Sequence, residues 1–234
     1  QAQAYKELLP AEGPVRTQIL GNVDVPKEEQ SKRVKDFMNY QIMDQMKEYE
    51  PEFDQMLFYL PLSGSTFKKV YYDDLLGRAV SKFVPAEDLV VPYSATSLED
   101  AEAVIHVLRI SQNDLRKQQI NGFYRDIDLG EPPLQQDQLK QKELELEGIQ
   151  QNGTEDMYTV LEMHVNLDLD GYEDVNPEDD EPTGIKLPYI VTLDEANAKV
   201  LSIRRNYEAG DVLKTKKDYF VHFKFLPGLG FYGL

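Results

Sequence analysis

The stretch that decides the fold is LPYIVTLDEANAKVLSIRRNYEAGD, residues 187–211. Its two runs LPYIVTL and VLSIRR are rich in β-branched residues and are separated by the turn-forming segment DEANAK. Runs of this kind at hairpin spacing predict a pair of antiparallel strands. A second turn at NYEAGD is followed by the alternating run YFVHFKF at 219–225. We therefore expect three strands in an antiparallel meander.

Upstream of this meander, short runs of strand and helix character alternate. TFKKVYY and AVSKFV predict a β-hairpin that feeds a third short strand at DLVVPY. VIHVLRI predicts a buried strand, SQNDLRKQQI a helix that ends before Asn121, and YTVLEMHVNLDL a strand. A hydroxyl at Ser97 followed three residues later by an acid predicts the start of a further short helix. The polar segment at about 128–156 predicts a solvent-facing helix or a flexible excursion.

The first quarter of the chain predicts helices. Residues 1–25 lack sustained periodicity and are interpreted as an irregular leader, whereas 26–62 carry apolar residues at steps of three and four. Asp24 is a candidate cap, and Pro51 predicts that the segment forms two helices or one kinked helix. The apolar stripe predicts a packing face, with a surface for a partner subunit as the alternative. Its members are Val34, Met38, Ile42, Met46, Tyr49, Phe53, Leu57 and Leu60.

These patterns predict an α+β protein. We expect N-terminal helices, followed by short helices and a largely antiparallel β-sheet in a module that covers 63–234. No internal repeat and no clear linker divide the chain.

Composition limits the classes of function. The 234 residues include 42 acidic and 25 basic side chains, and the formal charge of −17 opposes binding to a phosphate backbone. The absence of cysteine excludes disulfides and thiolate metal sites and is compatible with a reducing cytosol. No run reaches the roughly 20 apolar residues that span a bilayer, and the first residues do not form a signal peptide. We expect a soluble protein that is not exported and makes no membrane contact.

Two segments resemble nucleotide-binding loops in spacing only. Gly228, Gly230 and Gly233 spell G-x-G-x-x-G after a strand-like run, but the motif also needs a following helix, a distant acid and a parallel βαβ setting. We interpret them as turn glycines beside the docking aromatics Phe231 and Tyr232. SGSTFKK at 63–69 lacks the second glycine and the lysine-serine pair of a phosphate loop.

Acidic residues, histidines and basic residues are each candidates for a binding site. The acidic segment departs from the EF-hand spacing because Gly171 comes fourth, which favours a solvated turn over a cation site. Histidines occur once in each of three predicted strands, and a half-buried structural role is favoured over a metal or hydrolase site. Lysine and arginine pairs are interpreted as solvated, with intersubunit ion pairs as the alternative. These groups are Asp168, Asp170, Glu173, Asp174, Glu178, Asp179, Asp180 and Glu181; His106, His164 and His222; Lys68 and Lys69; Arg204 and Arg205; and Lys214, Lys216 and Lys217.

Neither a nucleophile elbow nor an H-E-x-x-H helix occurs in the sequence, and no residue qualifies as catalytic, cofactor-binding or metal-binding. Asn152-Gly153-Thr154 matches a glycosylation acceptor, which has no meaning without export. We therefore expect a protein that is not an enzyme and carries no cofactor.

Four long strings resemble, in this order, the portal proteins of short-tailed bacteriophages and related prophages. They start LPLSGSTFKKVYYDDLLGRAVSKF, HVLRISQNDLRKQQINGFYRDIDL, GIKLPYIVTLDEANAKVLSIRR and YFVHFKFLPGLGFYGL. The resemblance runs from about residue 30 to 234 and is weakest through 130–156. It indicates the N-terminal wing portion of a portal; the channel-lining and terminase-facing regions of the family have no counterpart in this sequence.

The resemblance implies a structural role in the virion. A portal, or head-tail connector, forms a closed ring of usually twelve subunits at one capsid vertex. The ring serves DNA packaging and genome ejection, and it assembles in the cytoplasm of the bacterial host. Terminase, capsid or scaffold proteins and tail adaptors are the implied partners, with double-stranded DNA passing without sequence-specific contacts. The alternatives are a metal- or nucleotide-dependent enzyme domain and a soluble adaptor or binding module.

Overall fold

The computed structural model describes residues 2–74, 76–132, 157–176, 181–228 and 230–232. Within these ranges it contains four α-helices and two antiparallel β-sheets, which confirms the α+β class. The chain separates into two compact units, Gln1–Glu87, Ala95–Glu99 and Asp218–Leu234 in unit 1, with Asp88–Ser94 and Asp100–Lys217 in unit 2. Because the chain passes between the units four times, no single linker marks their boundary.

Unit 1 begins with helices. Their bounds are Ala2–Leu8 (α1), Val25–Tyr40 (α2), and Tyr49–Ser63 (α3), and a π-helical turn at Gln41–Gln45 follows α2 directly. The short helix α1 corrects the expectation of an irregular leader; seven residues are too few to show a periodic pattern in the sequence.

The caps of α2 and α3 follow from the sequence. The Asp24 side chain accepts a hydrogen bond from the amide of Lys27 (2.9 Å), as expected for the N-cap of α2. The two predicted helices are present, but the break lies at Met46–Glu48 rather than at Pro51. Pro51 occupies the first turn of α3, where a missing amide donor costs nothing. Gly64 ends α3 at φ 72°, a left-handed conformation that favours glycine.

The sheet of unit 1 has three strands in the order β2-β1-β8, with β1 at Ser65–Asp73, β2 at Arg78–Pro85 and β8 at Phe220–Lys224. The predicted hairpin is β1–β2. The C-terminal strand β8 pairs antiparallel with β1 and not with the two strands formed by LPYIVTL and VLSIRR. The predicted three-stranded meander is therefore wrong for its third strand. Turn spacing predicts that strands exist but does not select the partner of a strand that follows a loop of fourteen residues, 206–219.

Each face of this sheet is covered by a different part of unit 1. Phe53, Met56 and Leu57 of α3 form a core with Leu9, and Phe83 and Phe223 of the sheet pack against it. On the opposite face, the ring of Phe67 contacts those of His222 and Phe231. Alternation along the strands separates the two sets, because neighbouring residues point to opposite sides.

Unit 2 contains a five-stranded antiparallel sheet in the order β3-β4-β5-β6-β7. The strands are Leu89–Val90 (β3), Ala103–Ser111 (β4), Met157–Leu167 (β5), Leu187–Asp194 (β6) and Val200–Arg205 (β7). The predicted strand at DLVVPY is β3, which joins this sheet rather than the β1–β2 hairpin.

The helix α4, Gln112–Ile120, lies on one face of this second sheet, where Leu115 packs with Tyr158 and Val160. Its N-cap is Ser111, whose hydroxyl accepts a hydrogen bond from the amide of Asp114 (3.1 Å).

The helix expected from Ser97 is not formed; residues 97–100 are a bend and turn. A capping box predicts only where a helix begins. Here the chain enters β4 at Ala103, three residues after Asp100, so no helix follows. The polar excursion at 128–156 lies outside the described residues from 133 onward.

No helix among the described residues has both the length and the apolar character required to cross a bilayer.

Candidate interaction surfaces

The helix α2 holds its polar side against the protein and its apolar row in solvent. Asn39, its one buried residue, bonds both ways to the backbone of Val15: its Oδ1 accepts from the Val15 amide (2.9 Å) and its Nδ2 donates to the Val15 carbonyl (3.2 Å). The Ser31 hydroxyl also donates to Thr17 Oγ1 (2.8 Å). Gly13 passes so close to Asn39 that an added Cβ would clash with its side chain. Segment 13–17 and α2 are therefore locked together through polar groups.

The apolar residues of α2 are largely exposed. Val34, Phe37 and Met38 recur at steps of three and four, and 44%, 58% and 42% of their surfaces are exposed. An amphipathic helix of a self-contained domain buries this row. The predicted stripe is thus a core face only in α3, at Phe53 and Leu57; in α2 the alternative, a surface for a partner, matches the exposure.

The five-stranded sheet of unit 2 presents a second apolar surface on the face opposite α4. The register places Ile105 beside Met163, and Met163 beside Val191, which in turn faces Ile203 on β7. We call this surface the apolar sheet face. Its members are Ile105, Val107, Leu161, Met163, Val165, Tyr189, Val191, Leu193 and Ile203.

The cluster that buries part of this face is built from the sheet itself. Leu187, Tyr189 and Val191 pack with other residues of β5 and β7 and with Leu169 and Tyr207, which follow these two strands. Within the described ranges, no helical residue belongs to this cluster. Antiparallel sheets often leave one face in solvent, but that face is then usually polar. On this face only Ile203 is exposed, at 50%, whereas Tyr189 and Val191 are buried and the remaining members are partly buried.

A cleft of about 700 Å³ lies at one end of the apolar sheet face. The Tyr189 hydroxyl donates to the carbonyl of Tyr172 (3.1 Å) at its wall, and two carboxylates lie at its rim. The lining residues are Asp168, Leu169, Asp170, Tyr172, Tyr189, Ile203 and Arg205.

The loop 206–217 carries an ordered apolar tip. Asn206 is buried, and its Nδ2 donates to the carbonyl of Lys217 (3.1 Å), while its own carbonyl accepts from the Lys217 amide (3.0 Å). The Asp211 carboxylate accepts from the amides of Leu213 (3.0 Å) and Thr215 (2.8 Å), and the Thr215 and Leu213 bonds lower its pKa. Val212 and Leu213 are nonetheless 91% and 85% exposed.

The C-terminal glycines do not form a nucleotide site among the described residues. Gly228 and Gly230 follow β8, a strand that is antiparallel to β1, and Gly230 adopts φ 110°. Gly233 lies outside the described residues. Phe231 is buried against Phe67 and His222, which agrees with the interpretation of turn glycines beside docking aromatics, whereas Tyr232 is half exposed.

Segment 63–69 spans the end of α3 and the start of β1, whereas a phosphate loop leads from a strand into a helix. Ser65 is fully buried there, and its hydroxyl shares a hydrogen bond with Nε2 of His222. Burial, followed by repulsion from Lys224, lowers the pKa of His222 to about 4, so its ring is neutral at pH 7.

His106 and His164 lie on one face of the five-stranded sheet, whereas His222 lies in the three-stranded sheet. His106 is opposite Glu162 in the register, and Nε2 of His164 is 2.8 Å from Oε1 of Glu162. Over the described part of the chain, no three histidines or carboxylates are grouped as metal ligands. The three histidines have half-buried or buried positions in strands, as predicted.

Part of the acidic segment is bonded to the residues at 181–183, with an isolated antiparallel bridge between Val175 and Pro182. The Asp174 carbonyl accepts from the amide of Thr183 (2.8 Å), and the Asp174 carboxylate accepts from the Thr183 hydroxyl (2.7 Å) and from Lys214. The bond from Lys214 is the largest cause of a lowered pKa at Asp174. Glu178, Asp179 and Asp180, and the acceptor Asn152, lie outside the described residues.

Lys68 and Lys69 of β1, and Arg204 and Arg205 of β7, do not form joint patches, because adjacent residues of a strand point to opposite faces. Arg204 stacks over Phe123, with 3.6 Å between its guanidinium carbon and the ring centroid, and Lys217 pairs with Glu208 at 2.5 Å. Lys68 corrects the expectation of solvation. It is buried with its Nζ 4.2 Å from the ring centroid of Tyr49, and desolvation lowers its pKa to about 8.

Sequence reasoning left one feature of these surfaces open and missed another. It left open whether the apolar stripe of α2 is a packing face or a partner surface. It did not find the apolar sheet face, because strand runs such as LPYIVTL are apolar whether a second layer covers them or not. The chain matches no model of a known protein family, and a search of curated proteins found no relative.

Proposed function

We propose that this chain is the wing portion of a portal subunit, with a structural role in a ring at the capsid vertex. The string resemblance over residues 30–234 supports this proposal. The observation that carries it is the apolar row of α2, whose members Val34, Phe37 and Met38 are 42% to 58% exposed. Contacts between unlike surfaces of identical subunits are heterologous, and they close into rings when the rotation between neighbours allows.

The charge supports the same role. A chain with a net charge of −17 gains little from counterion release on a DNA backbone, so it suits a conduit through which DNA slides. In the assembled particle, the ring would connect the capsid with terminase during packaging and with tail proteins during ejection.

The experiment is negative-stain electron microscopy of the product of the complete gene, combined with mass photometry. We expect rings with a central hole and a mass of about a dozen subunits. A monodisperse monomer at micromolar concentration would contradict the proposal.

A soluble adaptor is the second candidate, and the ordered apolar tip at Val212 and Leu213 favours it. An adaptor would remain monomeric and would lose its partner when the tip is made polar, whereas a portal subunit would still form rings. Isothermal titration with NAD, ATP, Ca²⁺ and Zn²⁺ tests the enzyme alternatives, because specific micromolar binding would count against a purely structural role.

A further inference from the structure

We propose that Glu48 and Glu52, at the start of α3, block the outer edge of β2 against the addition of a strand from a second copy of this chain. We call this outer edge, the row of backbone groups that point away from β1, the β2 edge. Its members are Ala79, Ser81, Phe83 and Pro85. The inference goes beyond the proposed ring and does not rest on it, because every contact that carries it lies within unit 1.

The pairing of β1 shows which backbone groups of β2 point outward. Val70 lies opposite Ser81 in the register, but the Val70 amide donates to the carbonyl of Tyr219 on the other side of β1 (2.7 Å). In an antiparallel ladder, two opposite residues exchange both hydrogen bonds or neither. The amide and carbonyl of Ser81 therefore point away from β1, as do those of Ala79 and Phe83, two positions along the strand in each direction. Since β2 is the last strand in the sheet order, no strand of the described residues pairs with this side.

Glu52 and a proline close one half of the β2 edge. The Glu52 carboxylate accepts a hydrogen bond from the Phe83 amide. A bond to an ionised acceptor is stronger than one between neutral groups, so the carbonyl of an incoming strand competes poorly for this amide. Pro85 has no amide hydrogen to donate, and proline is one of the residues that prevent further pairing at a sheet edge.

Glu48 and Arg78 close the other half. The Glu48 carboxylate accepts from both terminal nitrogens of Arg78, at 2.7 and 2.8 Å, and Nη1 of Arg78 also donates to the Ala79 carbonyl (3.2 Å). Hydrogen bonding from Arg78 is the largest cause of the lowered pKa of Glu48, and the Ser81 amide contributes to it as well. The guanidinium thus occupies a carbonyl that an added strand would use, while the carboxylate interacts with the next outward amide.

Helix and strand spacing explain why two carboxylates one turn apart reach two outward amides. Glu48, the N-cap residue of α3, and Glu52 lie on the same side of the helix, about 6 Å apart along its axis. Ser81 and Phe83 are separated by about 6.8 Å along β2. Phe53, which follows Glu52, belongs to the buried core against which Phe83 packs, so the start of α3 is held beside the strand.

A second copy of this chain is the partner that an unblocked β2 edge fits. Unpaired amides and carbonyls at the edge of a sheet are a template for pairing with another strand. Two copies of the eight-residue strand β2, related by a two-fold axis, would run antiparallel and present the same outward groups to each other. Such a pair would satisfy both edges at once.

Removal of the two carboxylates tests the inference on the whole chain. Glu48→Ala/Glu52→Ala opens the β2 edge. Glu50→Ala/Asp54→Ala is the matched control, because it removes two negative charges with the same spacing from exposed positions of the same helix. Circular dichroism confirms that each variant is folded. If the first variant is unfolded, Glu52→Ala replaces it, since this variant keeps the bonds between Glu48 and Arg78.

Hydrogen exchange, followed by NMR, measures whether the edge is open. At low micromolar concentration, we expect exchange at the amides of Ser81 and Phe83 to accelerate at least about tenfold in the first variant and less than about twofold in the control. The amides of Val80 and Lys82, which face β1, should not change. At a roughly hundredfold higher concentration, exchange at the two outward amides should slow again as a second copy covers them.

Sedimentation velocity measures the pairing itself. We expect Glu48→Ala/Glu52→Ala to self-associate at least about tenfold more tightly than the parent and the control. Faster exchange without tighter self-association would overturn the inference, because the open edge would then accept no second copy. Equal acceleration at all four amides of β2, or equal self-association in the control, would also overturn it. None of these results bears on the ring proposal, which depends on microscopy of the complete gene product.

Discussion

Phe231 stacks on His222 in unit 1, with 4.7 Å between the ring centroids and 27° between the ring planes. The contact joins the segment that follows β8 to the strand itself and covers the face of the three-stranded sheet opposite α3. It also requires that the imidazole stay neutral, since a charged ring in this apolar stack would lose its solvation.

We predict that the stability of unit 1 falls as the pH falls from 6.5 toward 4. The pKa of His222 is about 4 in the folded protein, against about 6.5 when unfolded, so the unfolded chain binds an extra proton in this window. The favourable effect is fully present above pH 6.5 and is lost as the pH approaches 4. Urea unfolding at a series of pH values measures it.

His222→Gln is the control for this prediction, because carboxylates titrate over the same range in both proteins. The variant should lose less stability than the parent between pH 7 and 4.5. Parallel curves for the two proteins would show that His222 does not carry the effect.

The Phe231 ring itself contributes to the core of unit 1. We expect Phe231→Ala to lower the free energy of unfolding by about 3 kcal/mol, since it removes a buried ring and leaves a cavity beside Phe67. Phe225→Ala, at a half-exposed ring shortly before it, should cost less than about 1 kcal/mol. Similar losses from both substitutions, measured by urea denaturation, would argue against docking of the C-terminal aromatics.

Lys68 is buried among aromatic rings, and we predict that Lys68→Met stabilises the protein by about 1 kcal/mol at pH 7. Desolvation is the largest cause of its lowered pKa and outweighs the attraction to Glu52 and Glu48. The folded pKa of about 8 lies below the unfolded value of about 10.4, so the parent gains stability as the pH rises through this window.

The gain from Lys68→Met should therefore shrink by pH 9.5. Lys69→Met, on the opposite face of β1, serves as the control and should change stability by less than about 0.5 kcal/mol. A destabilising Lys68→Met variant would mean that the cation–ring contacts outweigh the cost of burying the charge.

Asn206 closes the loop that carries Val212 and Leu213. We predict that Asn206→Ala costs about 2 kcal/mol, because it leaves the Lys217 carbonyl without its side-chain donor and removes a buried amide. Hydrogen exchange at the amides of 207–217 should also accelerate. Asn113→Ala, at an exposed position of α4, should alter neither stability nor exchange in this loop, and unchanged exchange in the Asn206 variant would contradict the anchoring role.

Local patterns predicted much of the secondary structure. Asp24 caps α2, Ser111 begins α4 after β4, and the runs LPYIVTL and VLSIRR form a hairpin, because caps and turns depend on neighbours within a few residues. Ser97 matched a helix start without forming a helix, since the nearby β4 pairs with β5 over nine positions and takes the chain into the sheet.

The sequence by itself determined the α+β class, the positions of most strands and the absence of a cysteine framework, since alternation and capping are read from adjacent residues. The tertiary structure decided which strands pair: β8 joins β1 in unit 1, and β3 joins β4 in unit 2. It also decided that Lys68 is buried while the apolar row of α2 is exposed. Strand pairing and side-chain burial depend on groups that lie far apart along the chain. The entropic cost of bringing such groups together is offset only when the whole fold forms.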